Sequence, residues 1–303
     1  MNYYENIKNN LLDVEIQNKV KDYSKNKYTL EKYYDVGRLL FEAQGGEERA
    51  HYGDGLIKEY SKKLVNELGE KYNERTLRRM RQFYITFKNI NWSPLATNLT
   101  WSHFVELLSL KDTDKINYYI NKCITYNLSR NKLRELIKLN EYERLPESTK
   151  NKLIIKEKTN IEDLVKNPIV IKNTFNKEII SEKILQQLIL ENLESFLKEL
   201  GNGFTFIGSE YPIKIGDRYN YIDLLLYNYI YNCFVVVELK ITELKKEYIG
   251  QIQVYMNYIN ENIKTINQNN TIGIIIAKED NKYLIKYASD DRIFTTKYIT
   301  IWK

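Results

Sequence analysis

Three charged residues interrupt two apolar runs of the sequence: Asp223, Glu238 and Lys240. The runs are rich in leucine, β-branched and aromatic residues and are separated by a polar segment at 228–232, which predicts two adjacent strands of a hairpin. Side chains alternate along a strand, so Glu238 and Lys240 must share one face, and hairpin pairing can bring Asp223 beside them. The sequence therefore predicts two carboxylates and a lysine around one point.

Two interpretations of these charges are open on spacing alone. A row of solvated ion pairs on the outer face of an amphipathic sheet has the same pattern, because a short motif is only a hypothesis. The flanking residues favour burial, since Val235–Val237 and Leu224–Leu226 predict strands covered on both faces. A charge in such a strand is costly without a partner. Two carboxylates that face one point suit Mg²⁺, which prefers oxygen ligands.

An aspartate followed, after a hairpin, by Glu-x-Lys resembles the signature of the PD-(D/E)XK nucleases. The surrounding residues resemble one branch of that superfamily, the YhcG-like family. In the C-terminal half the resemblance extends over 181–182, 185–201, 203–208, 221–225, 237–240 and 247–251 with Tyr255. In the N-terminal half it extends over 52–53, Leu64, 73–77, 79–84 and 101–108. Together these segments cover most of the chain.

The resemblance implies a chemistry for the predicted site. Asp223 and Glu238 would be ligands of Mg²⁺ or Mn²⁺, with the carbonyl of Leu239 as a further oxygen donor. The metal would polarise the scissile phosphate and activate water at neutral pH. Lys240 would orient the attacking water or neutralise charge that builds up on the phosphate.

Four further residues are candidates near this site. Gln251 and Tyr255, spaced i and i+4, share a helix face; in the family they flank the active site, and ordinary helix-to-sheet packing of Tyr255 is equally consistent with burial preferences. Nucleases of this type often carry a glutamate on the first helix of the domain. The corresponding position here is Gln186, and Glu191 is the reserve candidate.

A short arginine-rich helix is predicted to begin near Asn73. Leu77 and Met80 belong to its apolar stripe, while the basic residues lie largely elsewhere. A basic face on the second helix of a helix-turn-helix pair can meet DNA phosphates, and a plain solvated face has the same spacing. The candidate nucleic-acid-binding residues are Arg75, Arg78, Arg79 and Arg81 on this helix, and Lys245 and Lys246 at the start of the helix after the hairpin.

Composition sets broad limits on the function. A length of 303 residues allows two domains, and a formal net charge of +6 suits an anionic partner without proving one. Cys123 and Cys233 are isolated, which is typical of a reducing cytoplasm. The sequence contains no apolar run long enough for a membrane span, and neither a phosphate-binding Gly-Lys-Ser/Thr loop nor a Gly-x-Gly-x-x-Gly motif. We expect a soluble cytoplasmic protein without a nucleotide cofactor.

The apolar patterns predict an α+β protein of two domains. We expect an all-α, helix-turn-helix-like or winged-helix-like DNA-binding domain at 1–145 and a linker at 146–178. The resemblance implies that a restriction-endonuclease-like α/β domain with a central mixed sheet follows at 179–303. Its expected order is α-β-β-β-α-β, with a helix over 181–200, strands at 204–207 and near 211–215 before the hairpin, and an edge strand at 293–301.

The resulting functional hypothesis is a Mg²⁺-dependent endonuclease acting on double-stranded or branched DNA. Cutting both strands would require two copies of a domain with a single active site, so a homodimer is expected. The superfamily suggests defence against foreign DNA or processing of DNA structures. Two alternatives stay open: a non-catalytic DNA-binding recruiter or regulator that keeps the nuclease fold, and a ribonuclease.

Overall fold

The computed structural model of the protein describes residues 3–17, 25–46, 54–90, 92, 99–155, 157, 163, 165–173, 178–281, 284 and 290–302. The chain divides into two compact units, Met1–Tyr142 and Glu143–Lys303. Within the described part of the chain, no helix is both long and apolar enough to cross a membrane.

The described residues of the first unit form helices and no strand, which confirms the predicted helical domain. The strands that a winged-helix domain would need are not present among these residues. Its helices are α1 Tyr3–Gln17, α2 Lys25–Ala43, α3 Asp54–Leu68, α4 Glu74–Phe87, α5 Trp101–Leu107, α6 Thr113–Tyr126 and α7 Arg130–Lys138, with a 3-10 turn at Glu70–Tyr72.

Helix α4 is held between two groups of core side chains. Asn73 caps it by accepting a hydrogen bond from the Thr76 amide at 3.1 Å. Leu77 lies in one apolar cluster and Phe83 in another. Gly37 of α2 packs so closely that a Cβ there would lie 2.1 Å from the Met80 carbonyl oxygen. Because one face of α4 is fixed in this way, its arginines are left to the other faces.

The second unit is built around a six-stranded mixed sheet, which confirms the predicted C-terminal fold class. Its helices are α8 Glu147–Ile155, α9 Glu182–Glu191, α10 Leu193–Leu200 and α11 Lys246–Asn262. Its strands are β1 Ile169–Asn173, β2 Phe204–Ile215, β3 Arg218–Asn228, β4 Cys233–Leu239, β5 Ile272–Ala277 and β6 Ile293–Trp302. The strand order is β1-β6-β5-β4-β3-β2. Pairs β2–β3 and β3–β4 are antiparallel, and the other three pairs are parallel.

Both faces of the sheet are covered, as the continuous apolar runs predict. Val235 and Val237 pack into a cluster with residues of α9 and α10. Val236 points to the opposite face and packs with residues of α11. On that face, a Cβ at Gly273 of β5 would lie 2.7 Å from side-chain atoms of Ile252 and Met256, so the glycine allows α11 to approach β5 closely.

The predicted linker at 146–178 needs a correction, because this segment contributes to the fold of the second unit. It contains α8 and β1, and β1 forms the edge of the sheet by pairing in parallel with β6. Strand β6, expected at an edge, therefore lies between two neighbours.

A buried ion network anchors the entry to β1. Arg144 donates to the carboxylate of Glu199 on α10, and Lys166 donates to the same carboxylate at 3.4 Å. The Val170 amide, in β1 itself, donates to Glu199 Oε1 at 3.1 Å. All three side chains of this network are nearly inaccessible to solvent. The segment is fixed by charge as well as by strand pairing.

Two element boundaries also differ from the expectation. The helix predicted over 181–200 is divided at Asn192 into α9 and α10. The two strands predicted at 204–207 and 211–215 are one strand, β2, with a bulge between Phe206 and Gly208.

Candidate functional site

Strand pairing brings the three charged residues of the hairpin together. The antiparallel register pairs Leu224 with Val237, and one further step sets Asp223 opposite Glu238. Lys240 follows β4 directly, and its amide donates to the Ile276 carbonyl at 2.9 Å. The predicted convergence of these side chains is therefore present in the structure.

Asp223 is fixed by hydrogen bonds at both its carboxylate and its backbone. Its Oδ2 accepts from the Leu239 amide at 2.7 Å, and its carbonyl accepts from Gln186 Nε2 on α9 at 2.9 Å. Burial raises the pKa of Asp223, although the Leu239 bond works in the opposite direction. Gln186 thus positions β3 through its amide nitrogen.

Glu238 is the most deeply buried charged group of the site, at 1% exposure. One carboxylate oxygen accepts from Lys240 Nζ at 3.3 Å. The other, Oε1, is buried and has no hydrogen-bond partner among the described residues. Burial, followed by the negative charge of Asp223, raises the pKa of Glu238 to about 8. A buried carboxylate left one partner short is an open position for a cation.

Lys240 faces three groups at once. Its ammonium lies 3.3 Å from Glu238 and 3.5 Å from Glu182 of α9, and 5.1 Å from the centre of the Tyr248 ring. Burial works to lower the pKa of Lys240, but the surrounding carboxylates, led by Glu238, raise it. Lys240 is therefore held as a cation beside the two strand carboxylates.

Three of the four arginines of α4 line a groove in the first unit. The groove has a volume of about 590 Å³. Its lining residues are Glu74, Arg75, Arg78, Arg79, Gln82, Val105, Leu108 and Ser109. Arg78 is paired with Glu74, 2.8 Å away.

Arg81, whose role in nucleic-acid binding stays a prediction, lies apart from the groove. Its guanidinium lies 5.7 Å from the Phe41 ring centre, it is half-buried, and it does not line the groove. Burial lowers the pKa of Arg81. Helical spacing turns this residue away from Arg75 and Arg79 but leaves it beside Arg78, whose charge also lowers its pKa.

Glu106 of α5 holds two more arginines near this groove. It accepts hydrogen bonds from Arg130 Nε at 2.8 Å, from Arg134 Nε at 3.0 Å and from Arg134 Nη2 at 2.6 Å. These bonds, led by Arg134, lower the pKa of Glu106 to about 2. Sequence reasoning missed both arginines, because nothing in their spacing links α7 to α4.

Two protein-family models match the chain. One describes the YhcG PDDEXK nuclease domain and matches residues 162–302. Over these residues the chain is similar to the YhcG PDDEXK nuclease domain, and we call this segment the nuclease domain. The other model describes the DUF1016 N-terminal domain and matches residues 13–144. The resemblance inferred from the sequence motifs is thereby confirmed.

The chain is also similar to individual proteins. The chain is 27% identical over 293 aligned residues to "Putative nuclease YhcG" of Escherichia coli (strain K12), covering 84% of this chain and 78% of that protein. A solved repair endonuclease from Pyrococcus abyssi is 24% identical, with a TM-score of 0.30, over 40% of this chain and 48% of that one. The structure of an EndoMS–dsDNA2 complex is 18% identical, with a TM-score of 0.29, over 43% and 48%. The match spans about half the length of each solved chain.

Glu182 is the residue of the nuclease domain's candidate site that sequence reasoning missed. It lies in the first turn of α9, next to the N-cap Ser181 and one turn before Gln186. Glu191, the reserve candidate, is exposed and accepts a hydrogen bond from Gln187 at 3.1 Å. It lies nine positions after Glu182, a rise of roughly 13 Å along the helix. We therefore favour Glu182 over Glu191 as the acidic residue that α9 contributes to the candidate site. Its position one turn before Gln186 is the feature of the sequence that could have indicated it.

Helix α11 contributes the remaining predicted residues of the nuclease domain. Gln251 Nε2 donates to the Tyr255 hydroxyl at 3.0 Å, and Tyr255 is buried against the sheet. This bond links the two candidates, with Tyr255 acting from within the core. Lys245 is the N-cap residue of α11 and Lys246 its first residue; both are exposed.

The donor set of the nuclease domain fits a hard divalent cation. Asp223 and Glu238 offer carboxylate oxygens, one of them buried and unpartnered among the described residues. No cluster of three or more His, Cys, Asp or Glu side chains in the described ranges could hold a metal ion. Mg²⁺ commonly takes only one or two protein carboxylates and keeps several waters, so two ligands suffice.

Proposed function

We propose that the nuclease domain is a metal-dependent endonuclease that hydrolyses DNA phosphodiester bonds, with Asp223 and Glu238 as ligands of Mg²⁺ or Mn²⁺. The observation that carries the proposal is Glu238 Oε1. This buried oxygen has no partner in the described part of the chain and faces a second carboxylate. A fold gains nothing from such an arrangement unless a cation completes it.

The side chains divide the work according to their surroundings. A divalent ion, when bound, supplies positive charge that polarises the scissile phosphate and makes water a stronger nucleophile. The Leu239 amide fixes one oxygen of Asp223, so the other oxygen is free to turn to a ligand. The carbonyl of Leu239 is the proposed third donor. Lys240, a cation held by Glu238 and Glu182, neutralises charge that develops on the phosphate or orients the water.

The proposal also includes a nucleic-acid partner and a biological setting. The basic balance of the chain suits DNA, double-stranded or branched, and Lys245 and Lys246 are exposed for phosphate contacts. Cleavage of both strands by a domain with one such site would require a homodimer. Defence against foreign DNA or DNA processing is the setting that the superfamily resemblance favours.

A cleavage assay tests the proposal. Purified protein would be incubated with supercoiled, linear, branched and single-stranded DNA and with RNA, in Mg²⁺, Mn²⁺, Ca²⁺ or chelator. We expect cleavage of DNA in Mg²⁺ or Mn²⁺ and none in chelator. Lys240→Ala should reduce turnover more than affinity. Glu191→Gln, which removes an exposed carboxylate of α9, is the matched control and should cleave normally.

Two outcomes would overturn the assignment in different ways. Protein that shifts DNA in a gel but cuts no substrate with any metal would be a recruiter or regulator. Protein that cuts RNA alone would be a ribonuclease. Mn²⁺ titration by calorimetry adds a direct readout, because Asp223→Asn should abolish binding without any substrate present.

A further inference from the structure

The helical unit concentrates positive charge around one concave surface. Arg75, Arg78 and Arg79 line the groove along α4. Arg130 and Arg134 of α7 are joined to the same region by Glu106, whose neighbours Val105 and Leu108 line the groove. We call these five arginines together with Glu106 the arginine cluster. Only two carboxylates, Glu74 and Glu106, are seen to pair with its arginines in the described residues.

The cluster is crowded with like charges. Burial and the charge of Arg75, with a smaller contribution from Arg130, lower the pKa of Arg79, while the carboxylate of Glu106 works in the opposite direction. Arg79 therefore lies between arginines of two different helices. Repulsion of this kind disfavours the folded protein, and a bound anion would relieve it.

We propose that the arginine cluster binds the phosphates of a nucleic-acid backbone, and that Glu106 is a positioning residue that holds Arg130 and Arg134 toward the groove. The proposal deepens the proposed function, on which it rests for the identity of the polyanion. Guanidinium groups recognise phosphates through paired N–H donors in a planar fork. Three hydrogen bonds to Glu106 fix two such forks before any ligand arrives, which reduces the entropy lost on binding.

The dimensions favour a chain of phosphates over one small anion. From Arg75 to Gln82 the groove follows α4 for about 10 Å, and the cluster then continues onto α7. Successive phosphates of one strand are about 3.4 Å apart along a duplex axis. A single phosphate could contact only part of this surface, whereas a backbone could contact all of it.

The test is a binding titration in chelator, so that no cleavage occurs. Fluorescent duplex DNA would be titrated with the full chain at several salt concentrations. Arg79→Gln and Arg134→Gln are each expected to weaken binding about fivefold or more, and to reduce the slope of log affinity against log salt by about one. Lys63→Gln removes an exposed lysine of α3 and is the matched control, with unchanged affinity. Arg75→Gln, at an exposed position, provides a variant with little effect on folding.

Glu106→Gln distinguishes positioning from simple charge. If Glu106 only repelled phosphates, removing its charge would strengthen binding. If it holds Arg130 and Arg134, binding should weaken severalfold, and Glu106→Asp should restore part of the loss. Tighter binding by Glu106→Gln would overturn the positioning role, and unchanged binding by the arginine variants would overturn the site.

Inorganic phosphate serves as the second probe. Millimolar phosphate should not displace DNA from the wild-type protein, and DNA should raise its Tm while leaving that of Arg79→Gln almost unchanged. Displacement by phosphate at that concentration would indicate a small-anion site instead. This proposal can fail independently of the nuclease proposal. A protein that cuts no substrate can still lose DNA binding when the arginines are replaced, which would support the arginine cluster alone. A protein that cuts DNA can still bind it normally after these replacements, which would support the nuclease proposal alone.

Discussion

Two buried glutamates of the second unit have opposite surroundings. Glu199 lies at 9% exposure and Glu238 at 1%. The carboxylate of Glu199 accepts hydrogen bonds from Arg144, Lys166 and the Val170 amide. Glu238 accepts from Lys240 alone, faces the negative Asp223, and keeps one oxygen without a partner in the described ranges.

Under our proposal, this difference separates a charge that stabilises the fold, Glu199, from a charge that binds a metal ion, Glu238. Donors surround Glu199 on both oxygens, so its negative charge joins α10 to the segment before β1. Glu238 is left short of positive charge, as a ligand must be before its metal arrives. Burial does not distinguish the two glutamates, because both are buried. The number of hydrogen-bond donors around each carboxylate distinguishes them.

The largest effect on activity is expected from neutralising Glu238. Glu238→Gln should reduce DNA cleavage roughly a thousandfold, because stabilisation by a bound metal contributes several kcal/mol. In chelator at pH 8 or above, where Glu238 is ionised, its Tm should equal or exceed that of the wild type, since a poorly compensated charge is removed. Normal cleavage by this variant would contradict the proposed role of Glu238 as a metal ligand.

The same change at Glu199 should give the reverse pattern. Glu199→Gln leaves Arg144 and Lys166 buried without their carboxylate, and breaking such a network costs about 3 to 5 kcal/mol. Urea denaturation would measure the loss. Cleavage per folded molecule should stay near the wild-type value at low temperature, and a specific loss of turnover would show that Glu199 serves the site as well.

The pH dependence of stability should separate the two glutamates further. Because the pKa of Glu238 is raised to about 8, the folded chain keeps a proton that the unfolded chain releases near the ordinary glutamate pKa. In chelator, stability should therefore fall as pH rises from about 5 to 8, with Asp223 acting in the same direction. Groups with a depressed pKa, such as Glu106, titrate below this window. A flat profile for the wild type, or the same slope in Glu238→Gln, would contradict the assignment.

The smallest expected effect concerns Tyr255. Tyr255→Phe keeps the ring in the core and removes the hydroxyl that accepts from Gln251. One neutral hydrogen bond contributes about 1 kcal/mol, so we expect about a fivefold loss of cleavage with little change in Tm. Gln251→Ala should match that loss if the bond serves only to orient Gln251.

The sequence predicted the parts of the site that depend on local alternation. Asp223, Glu238 and Lys240 were identifiable because strand periodicity and a short hairpin determine their faces. Glu182 was not, because its contact with Lys240 joins α9 to the strand end across 58 residues.

Long-range pairing also explains the errors in the fold. Strand β1 is a five-residue run in a polar segment, and its partner β6 lies near the other end of the unit. Because its partner is distant in sequence, such a strand has no nearby strand in the sequence that would indicate its presence. Helical spacing alone likewise did not reveal the contact of Arg81 with Phe41.

The parallel pairing of β1 with β6 has a consequence for the order of assembly. Ile169 pairs with Tyr298, so the edge of the sheet can close only after every intervening strand is available, whereas the β3–β4 hairpin closes over a few residues. Local contacts form faster than distant ones. During synthesis the proposed metal ligands, Asp223 and Glu238, would therefore come together early, before β1 can pair with β6.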